Sequence, residues 1–123
     1  MKRIIIVDDS ETARMFIRRC LEIIGFDGAG IIDAANGREA LEKLKQGQAE
    51  IVLTDLNMPV MDGETLLKWI KASPSLCELP VVVISSAGNP AKEEELIQIG
   101  ALGVVAKPVS PPKLIALLGS FLA

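Results

Sequence analysis

The sequence predicts an α/β fold in which helices cover both faces of a parallel sheet. Four short aliphatic runs lack polar alternation, which is typical of strands buried on both faces: residues 4–7, 51–53, 81–84 and 104–106. Segments with helical spacing separate these runs, so strands and helices alternate along the chain. The 123 residues correspond to one domain over residues 1–123, because domains typically contain about 100–200 residues.

The first half of the chain follows this alternation. Apolar residues recur at helical spacing from Glu11 to Ile24 and predict the first helix, with Arg14 and Arg18 together on another face. The weaker apolar pair Ile31-Ile32 predicts a strand near an edge of the sheet. Asn36 is a typical helix-start residue, and the apolar stripe after it predicts the second helix.

The second half carries equally clear boundaries. Asp62 begins a third predicted helix that runs to Lys71. Asn89, followed by a proline at the first helical position, begins the fourth helix, and Gly100 ends it. Ser110 begins the last helix in the same way. Strand and helix therefore alternate five times.

The composition excludes several classes of function. The 13 basic and 16 acidic residues give a net charge of −3, which offers no basic footprint for nucleic acid or for a membrane surface. No apolar stretch approaches the roughly 18 residues of a membrane span and no signal peptide is recognisable, so we expect a cytoplasmic protein. Histidine is absent, which excludes Ser-His-Asp triads, Cys-His pairs and histidine metal sites. The widely spaced Cys20 and Cys77 are expected to be reduced, packed thiols.

Charged and hydroxyl side chains follow the predicted strands at the points where the strands end. Asp8 and Asp9 follow the first strand, and Asp55 follows the third. Ser85 and Lys107 follow the fourth and the fifth. In a parallel sheet these ends share one edge, where the functional sites of such folds collect. Neighbouring carboxylates repel unless a proton, a cation or a hard metal relieves the repulsion, and Mg²⁺ prefers one or two carboxylates plus a phosphate oxygen.

Each of these residues, taken alone, has a simpler interpretation. Asp9 or Ser10 could cap the following helix, and Asp55 could be a turn residue. Ser85 could be a satisfied hydroxyl and Lys107 a solvated lysine. Their occurrence together at one rim of the sheet favours a functional site over five separate local roles.

These motifs resemble the receiver domains of bacterial two-component systems, and in particular the single-domain, chemotaxis-type response regulators. The resemblance extends over the whole chain. It implies a doubly wound, flavodoxin-like sheet of five parallel strands in the order 2-1-3-4-5. The segments that carry it are residues 4–10, 54–63 and 85–87 and the dipeptide Lys107-Pro108.

The resemblance also implies a role for each residue of the rim. Asp55 would be the phosphoacceptor, taking a phosphoryl group from the phosphohistidine of a sensor histidine kinase or a histidine phosphotransfer protein. Asp8, Asp9, the Asp55 carboxylate and the backbone carbonyl of Asn57 would hold Mg²⁺. Lys107 would contact the phosphoryl oxygens.

Two further implications of the resemblance concern Ser85 and Lys107. The resemblance implies that the Ser85 hydroxyl also contacts the phosphoryl oxygens. It further implies a cis peptide bond between Lys107 and Pro108, which would aim the lysine at Asp55.

The chain departs from the family pattern at one position of the fifth strand. In the family, the hydroxyl that corresponds to Ser85 moves toward the phosphoryl group and acts as a switch. An aromatic residue three positions before the lysine usually follows the motion of the switch hydroxyl, but this position is Val104 and the chain has no tyrosine. We therefore expect a switch that works through backbone and helix shifts in residues 85–99. Asn57 and Ala87 occupy the positions that tune the lifetime of the aspartyl phosphate.

The function implied by the resemblance is a phosphorylation-dependent signalling switch. Such a protein is not an enzyme in the usual sense, because it catalyses only its own phosphorylation and dephosphorylation. Phosphate adds about −1.5 to −2 charges and three acceptor oxygens. Binding of Ser85 to them would alter the face formed by the fourth helix, fifth strand and fifth helix, where an unidentified downstream protein binds.

Two alternatives remain open. Residues 55–57 loosely resemble the Asp-x-Asp start of aspartyl-phosphate phosphatases, which would make the protein a Mg²⁺-dependent phosphohydrolase. The other alternative is a protein-binding module that acts without phosphorylation.

The last helix lacks charge after Lys113. Its large residues form one broad stripe, and the small ones lie opposite. This pattern fits a core helix. It also fits a contact with a partner or with a second copy of the chain, for which Leu114 and Ala116 are the surface positions to test. Trp69, on the third helix, is expected to be a packing anchor.

Overall fold

The computed structural model describes residues 3–86 and 89–122. It contains a five-stranded sheet in the order 2-1-3-4-5, with every neighbouring pair parallel. The predicted fold is confirmed, including the position of the Ile31-Ile32 strand at an edge. The strands are β1 (Arg3–Val7), β2 (Gly30–Ala34), β3 (Ile51–Asp55), β4 (Val81–Ser85) and β5 (Gly103–Ala106).

The helices follow the strands in the predicted order. The helices of the described residues are α1 (Glu11–Leu21), α2 (Gly37–Lys45), α3 (Gly63–Ala72), α4 (Pro90–Ile99) and α5 (Pro111–Leu118). A π-helical turn continues α1, and a 3₁₀ turn continues α5. None of these helices is long and apolar enough to cross a lipid bilayer.

The helix starts are fixed by side-chain caps. The side-chain oxygens of Ser10, Asn36, Asp62 and Asn89 each accept a hydrogen bond from the backbone N–H three residues later. These bonds satisfy donors that the helix itself leaves unpaired. Ser110 precedes α5 as predicted, but its side chain makes no such bond. The start signals in the sequence therefore mark real helix boundaries.

The core consists of two apolar layers, one on each face of the sheet. Successive strand residues point to opposite faces, so Ile5 and Val7 pack with α2, α3 and α4, while Ile4 and Ile6 pack with α1 and α5. Because both faces are covered, the central strands favour apolar residues on both faces. This explains the uninterrupted aliphatic runs in the sequence.

The structure corrects the interpretation of the last helix. Leu114 and Leu118 are fully buried against the sheet, whereas Ile115 is 45% exposed. A helix turns about 100° per residue, so residues three or four apart share its inner face, while the residue directly after an inward one points away from it. Leu114 is therefore a core residue and unsuitable as a surface test position, while Ala116 is exposed.

Two further expectations were wrong in part. Trp69 is 55% exposed, so it is not a buried packing anchor. Trp69 lines a surface depression between α2 and α3 together with Leu41 and Lys45. Both cysteines are free, but only Cys20 is buried, since Cys77 lies on the exposed α3–β4 connection.

Gly63 brings the start of α3 against the end of β3. Its N–H donates to the carbonyl oxygen of Leu56 at 2.9 Å. A Cβ atom at this position would collide with the carbonyl oxygen of Asp55. The absence of a side chain therefore allows the helix to begin directly beside Asp55.

We predict that Gly63→Ala lowers the free energy of unfolding by about 3 kcal/mol, because the new methyl group displaces backbone rather than a flexible side chain. Gly28→Ala is the matched control, since a Cβ there meets nothing within 4 Å, and it should change stability by less than about 0.5 kcal/mol. Urea denaturation measures both variants. Equal stabilities would contradict this account of the β3–α3 junction.

Candidate functional site

Three carboxylates meet at the carboxyl edge of the sheet. Oxygens of Asp8, Asp9 and Asp55 all lie within 4.8 Å of one another. The register of β1 and β3 pairs Val7 with Thr54, so the residues that follow them, Asp8 and Asp55, lie side by side. Both are buried, at 2% and 6% exposure, while Asp9 is exposed. The sequence prediction that these carboxylates share one rim is confirmed.

Asp8 has one carboxylate oxygen without a partner. Its backbone N–H donates to the carbonyl oxygen of Ala34 at 3.1 Å, and its Oδ1 accepts the N–H of Ser10 at 2.8 Å. Its Oδ2 is buried and has no hydrogen-bond partner among the described residues. A buried, unpartnered anionic oxygen is costly unless a cation or a proton meets it.

The electrostatics of Asp8 reflect this position. Burial raises its pKa above the ordinary value of 3.8, and the charges of Asp55 and Asp9 raise it further. The Ser10 N–H and the Lys107 ammonium act in the opposite direction. The net shift favours the protonated carboxyl, so the ionised cluster is destabilised when no cation is bound.

Lys107 partly compensates the cluster. Its Nζ lies 2.8 Å from Asp55 Oδ1, and the lysine side chain is 44% exposed. The hydrogen bond to Asp55 is the main cause that raises the pKa of Lys107, so the ammonium is charged at neutral pH. The Lys107-Pro108 peptide bond is cis, as predicted. Asp55 Oδ2 accepts no hydrogen bond within the described residues.

Ser85 ends β4 between the acceptor and the lysine. Its carbonyl oxygen accepts the Lys107 N–H at 2.8 Å. Its buried hydroxyl donates to the carbonyl oxygen of Ser86 over 3.3 Å, which is long for a hydroxyl donor. Ser85 therefore has a weakly held hydroxyl at the same rim. The predicted contact of this hydroxyl with a phosphoryl group stays a prediction.

Asn57 lies on the loop that follows Asp55. Asn57 is exposed on the β3–α3 loop, and the role of its carbonyl as a metal ligand stays a prediction. Ala87 lies outside the described residues. The same loop contains Val60 with a φ of 69°, and the Met61 carbonyl oxygen accepts the Gly37 N–H at 3.0 Å. The loop is therefore tied to the start of α2.

Two hydrogen bonds at the site were not predicted from the sequence. The Thr54 hydroxyl donates to the Asp55 carbonyl oxygen at 2.9 Å and is fully buried. The Arg14 guanidinium on α1 donates to the Asp8 carbonyl oxygen. Both act on backbone oxygens, which no residue pattern identifies. The helical spacing of Arg14 and Arg18 was the available signal, since it put both arginines on one face.

The donor set fits Mg²⁺. All side-chain donors in the cluster are carboxylate oxygens, and one of them, Asp8 Oδ2, is buried without a partner. Mg²⁺ binds through one or two carboxylates and keeps further positions for water and phosphate oxygens. No histidine or cysteine lies in the cluster to favour a transition metal.

An apolar cavity of about 490 Å³ lies beside the cluster. Asp8 and Lys107 form its polar edge, and Phe16, Ile84 and Pro108 contribute to its apolar wall. Phe16 is 52% exposed at the surface of α1. The acidic cluster therefore borders an apolar depression at the surface of α1.

A family model for the response regulator receiver domain matches residues 4–119. The chain belongs to this family. Chemotaxis protein CheY of Thermotoga maritima is 36% identical over 118 residues, which cover 95% of this chain and 94% of that protein. CheY-3 of Vibrio cholerae is 39% identical over 106 residues, or 86% and 80% of the two chains. The structure of CheY4 of Vibrio cholerae superposes with a TM-score of 0.84 at 30% identity and covers 98% of each chain.

The family has known chemistry at its acidic pocket. Receiver domains are signalling proteins of two-component systems rather than conventional enzymes. Aspartyl phosphorylation and Mg²⁺ binding are general features of the family. In this receiver, the acidic cluster of Asp8, Asp9 and Asp55 lies in the corresponding pocket.

We predict that Asp8→Asn raises the free energy of unfolding by about 1 kcal/mol at neutral pH without Mg²⁺, because it removes a buried, repelled charge. The pKa of Asp8 is raised in the folded protein above its ordinary value of 3.8. The protonated carboxyl therefore stabilises the folded protein below pH 3.8, and this contribution is lost as the pH rises through the pKa that Asp8 has in the folded state. The gain from Asp8→Asn should therefore vanish in acid. Thermal unfolding of the wild-type protein and of Asp8→Asn, from neutral pH to below pH 3.8, measures this difference in stability.

Asp9→Asn is the control for this prediction. Asp9 is exposed, so its substitution should stabilise the protein less than Asp8→Asn. Mg²⁺ should stabilise the wild-type protein and have a much smaller effect on Asp8→Asn. A loss of stability in Asp8→Asn at neutral pH would contradict the prediction.

Proposed function

We propose that this receiver is a phosphorylation-dependent switch in which Asp55 accepts a phosphoryl group from a phosphohistidine. The donor is a sensor histidine kinase or a histidine phosphotransfer protein of a two-component pathway. The observation that carries the proposal is the arrangement at Asp55: a buried carboxylate, 2.8 Å from a lysine ammonium and within 4.8 Å of two further carboxylates. This arrangement combines a nucleophile with groups that bind a metal and neutralise phosphate charge.

Asp55 supplies the nucleophile. An oxygen of its carboxylate bonds to the phosphorus atom, the phosphorus–nitrogen bond of the phosphohistidine breaks, and the electron pair remains on the donor imidazole. The product is an acyl phosphate on Asp55. Lys107 pairs with Asp55 Oδ1, while Oδ2 accepts no hydrogen bond within the described residues and is available to react.

Asp8, Asp9, Asp55 and the backbone carbonyl of Asn57 are the groups that would hold Mg²⁺. When bound, the ion neutralises charge that develops on the phosphoryl oxygens. Asp8 Oδ2 supports this assignment, because it is buried without a partner. Lys107 supplies a further positive charge, and its half-exposed side chain leaves it free to turn toward a phosphoryl oxygen.

The switch begins at Ser85. Its hydroxyl makes only a 3.3 Å hydrogen bond to the next carbonyl, so a phosphoryl oxygen on the neighbouring strand offers a stronger acceptor. Movement of Ser85 toward Asp55 would shift the connection between β4 and α4. Val104 occupies the position at which an aromatic residue usually follows the movement of this hydroxyl. It is partly buried in the core layer below α4.

The output surface is formed by α4, β5 and α5. Large apolar side chains are exposed on these elements or on the turn before β5: Ile97, Leu102 and Ile115. In the proposal, these side chains supply apolar contacts to a partner protein. An unidentified downstream protein binds this face in the proposal, and a second copy of the chain is the alternative occupant.

We predict that a small-molecule phosphodonor adds one phosphoryl group to the wild-type protein only when Mg²⁺ is present. Asp55→Asn should show no adduct, because an amide is a far weaker nucleophile than a carboxylate. Intact-mass spectrometry measures the adduct. Asp62→Asn is the matched control, since this exposed carboxylate only caps α3, and asparagine caps equally well.

The same samples separate the alternatives. Continuous release of phosphate from added phosphomonoesters would favour a phosphohydrolase over a switch. A folded wild-type protein that forms no adduct with any donor would contradict the proposal and favour a binding module that acts without phosphorylation.

We predict that Ser85→Ala still accepts phosphate, because Asp55 and Lys107 remain, but transmits less of the change to α4. Hydrogen exchange of the amides in Pro90–Ile99 should change on phosphorylation of the wild-type protein and by less than half as much in Ser85→Ala. The amides of α2 serve as the internal reference. An unreduced response in Ser85→Ala would contradict the role of this hydroxyl.

A further inference from the structure

Arg14 connects helix α1 to the backbone of Asp8. Its Nη1 donates to the Asp8 carbonyl oxygen, and its Nε donates to Asp33 Oδ2 on β2 at 3.2 Å. The arginine side chain is only 14% exposed. The planar guanidinium thus spans two acceptors, one just after β1 and one on β2, which a lysine ammonium does not reproduce with the same geometry.

The contact completes the restraint of Asp8. The backbone N–H of Asp8 is bonded to Ala34, its Oδ1 to the Ser10 N–H, and its carbonyl oxygen to Arg14. Of the polar atoms of Asp8, Oδ2 alone has no hydrogen-bond partner in the described part of the chain. Main-chain rotation at Asp8 would move its carboxylate relative to Asp55 and Asp9, and the Arg14 bond opposes this rotation.

Asp33 holds the guanidinium in place. Its Oδ1 accepts a hydrogen bond from Arg18 at 2.8 Å, and its backbone oxygen accepts one from Lys43 on α2. β2 pairs with β1 at this level, with Asp33 opposite Ile6. The carboxylate also offsets the positive charge of Arg14, so that repulsion of a cation at the cluster is weakened.

We propose that Arg14 is a positioning residue of the metal site. By holding the Asp8 carbonyl oxygen, it keeps Asp8 Oδ2 directed at the carboxylate cluster, and Asp33 orients the guanidinium for this purpose. The inference rests on the proposed function, because it assumes that Mg²⁺ binds between the carboxylates. It adds two residues, Arg14 and Asp33, that support the site without contacting the ion.

The test is the affinity for Mg²⁺ alone, measured by isothermal titration calorimetry without phosphodonor. Arg14→Ala should weaken binding about tenfold, the usual effect of removing a group that orients a metal ligand. Arg18→Ala is the matched control. Arg18 pairs with the same Asp33 but donates to the Ile31 carbonyl oxygen instead of the Asp8 carbonyl oxygen. The Mg²⁺ affinity of Arg18→Ala should therefore stay within about twofold of the wild-type affinity.

Arg14→Lys separates geometry from charge and provides a milder variant if Arg14→Ala is unstable. It keeps the positive charge but loses the two-pronged contact, so it should also weaken Mg²⁺ binding, by severalfold. Thermal unfolding without Mg²⁺ verifies that each variant is folded at the temperature of the titration.

The outcomes distinguish this inference from the proposed function. If the wild-type protein binds Mg²⁺ and Arg14→Ala binds it equally well, the positioning role is wrong while the metal site stands. Tighter binding by Arg14→Ala would show that the arginine acts mainly by repulsion, which also overturns the inference. No binding by the wild-type protein would contradict the metal site itself, and the positioning role with it.

Discussion

Repulsion among carboxylates at the end of two parallel strands is the constraint on which the site depends. The register of β1 and β3 makes Asp8 and Asp55 neighbours, and burial keeps water from screening them. Lys107 neutralises part of this charge through Asp55, yet Asp8 Oδ2 remains without a partner in the described residues. The fold therefore holds a local instability that a bound divalent cation would relieve, and binding of the ion would then be linked to the stability of the protein.

The surrounding backbone keeps these carboxylates from moving apart. Thr54 bonds to the Asp55 carbonyl oxygen, and Gly63 permits α3 to begin against the same residue. On the other strand, Ser10 and Arg14 bond to Asp8. These contacts offset the repulsion with hydrogen bonds and packing, so the acidic cluster is preorganised before any ligand binds.

The sequence predicted the elements and the rim of the site, but not the contacts that hold the site together. Helix starts such as Asn36 and the aliphatic runs are local signals, and strand ends necessarily meet in a parallel sheet. The inward position of Leu114 and the outward position of Ile115 depend on how α5 is rotated against the sheet. The bond from Arg14 to Asp8 depends on a side-chain conformation fixed by Asp33. Tertiary packing decides both, and a residue pattern does not contain it.

The contacts around Asp55 also bear on how this receiver can transmit a signal without an aromatic residue at Val104. In the proposed switch, one path would begin at Ser85 at the end of β4. A second begins at Gly63, which packs against Asp55, and continues through Glu64, whose carboxylate accepts a hydrogen bond from Lys92 on α4 at 2.7 Å. The bond to Lys92, together with Lys68, lowers the pKa of Glu64, so this link between α3 and α4 stays charged at neutral pH. In the proposed switch, a change at Asp55 would therefore act on α4 both through Ser85 and through the Glu64–Lys92 pair. A shift of α4 as a whole would accommodate both contacts without an aromatic side chain at position 104.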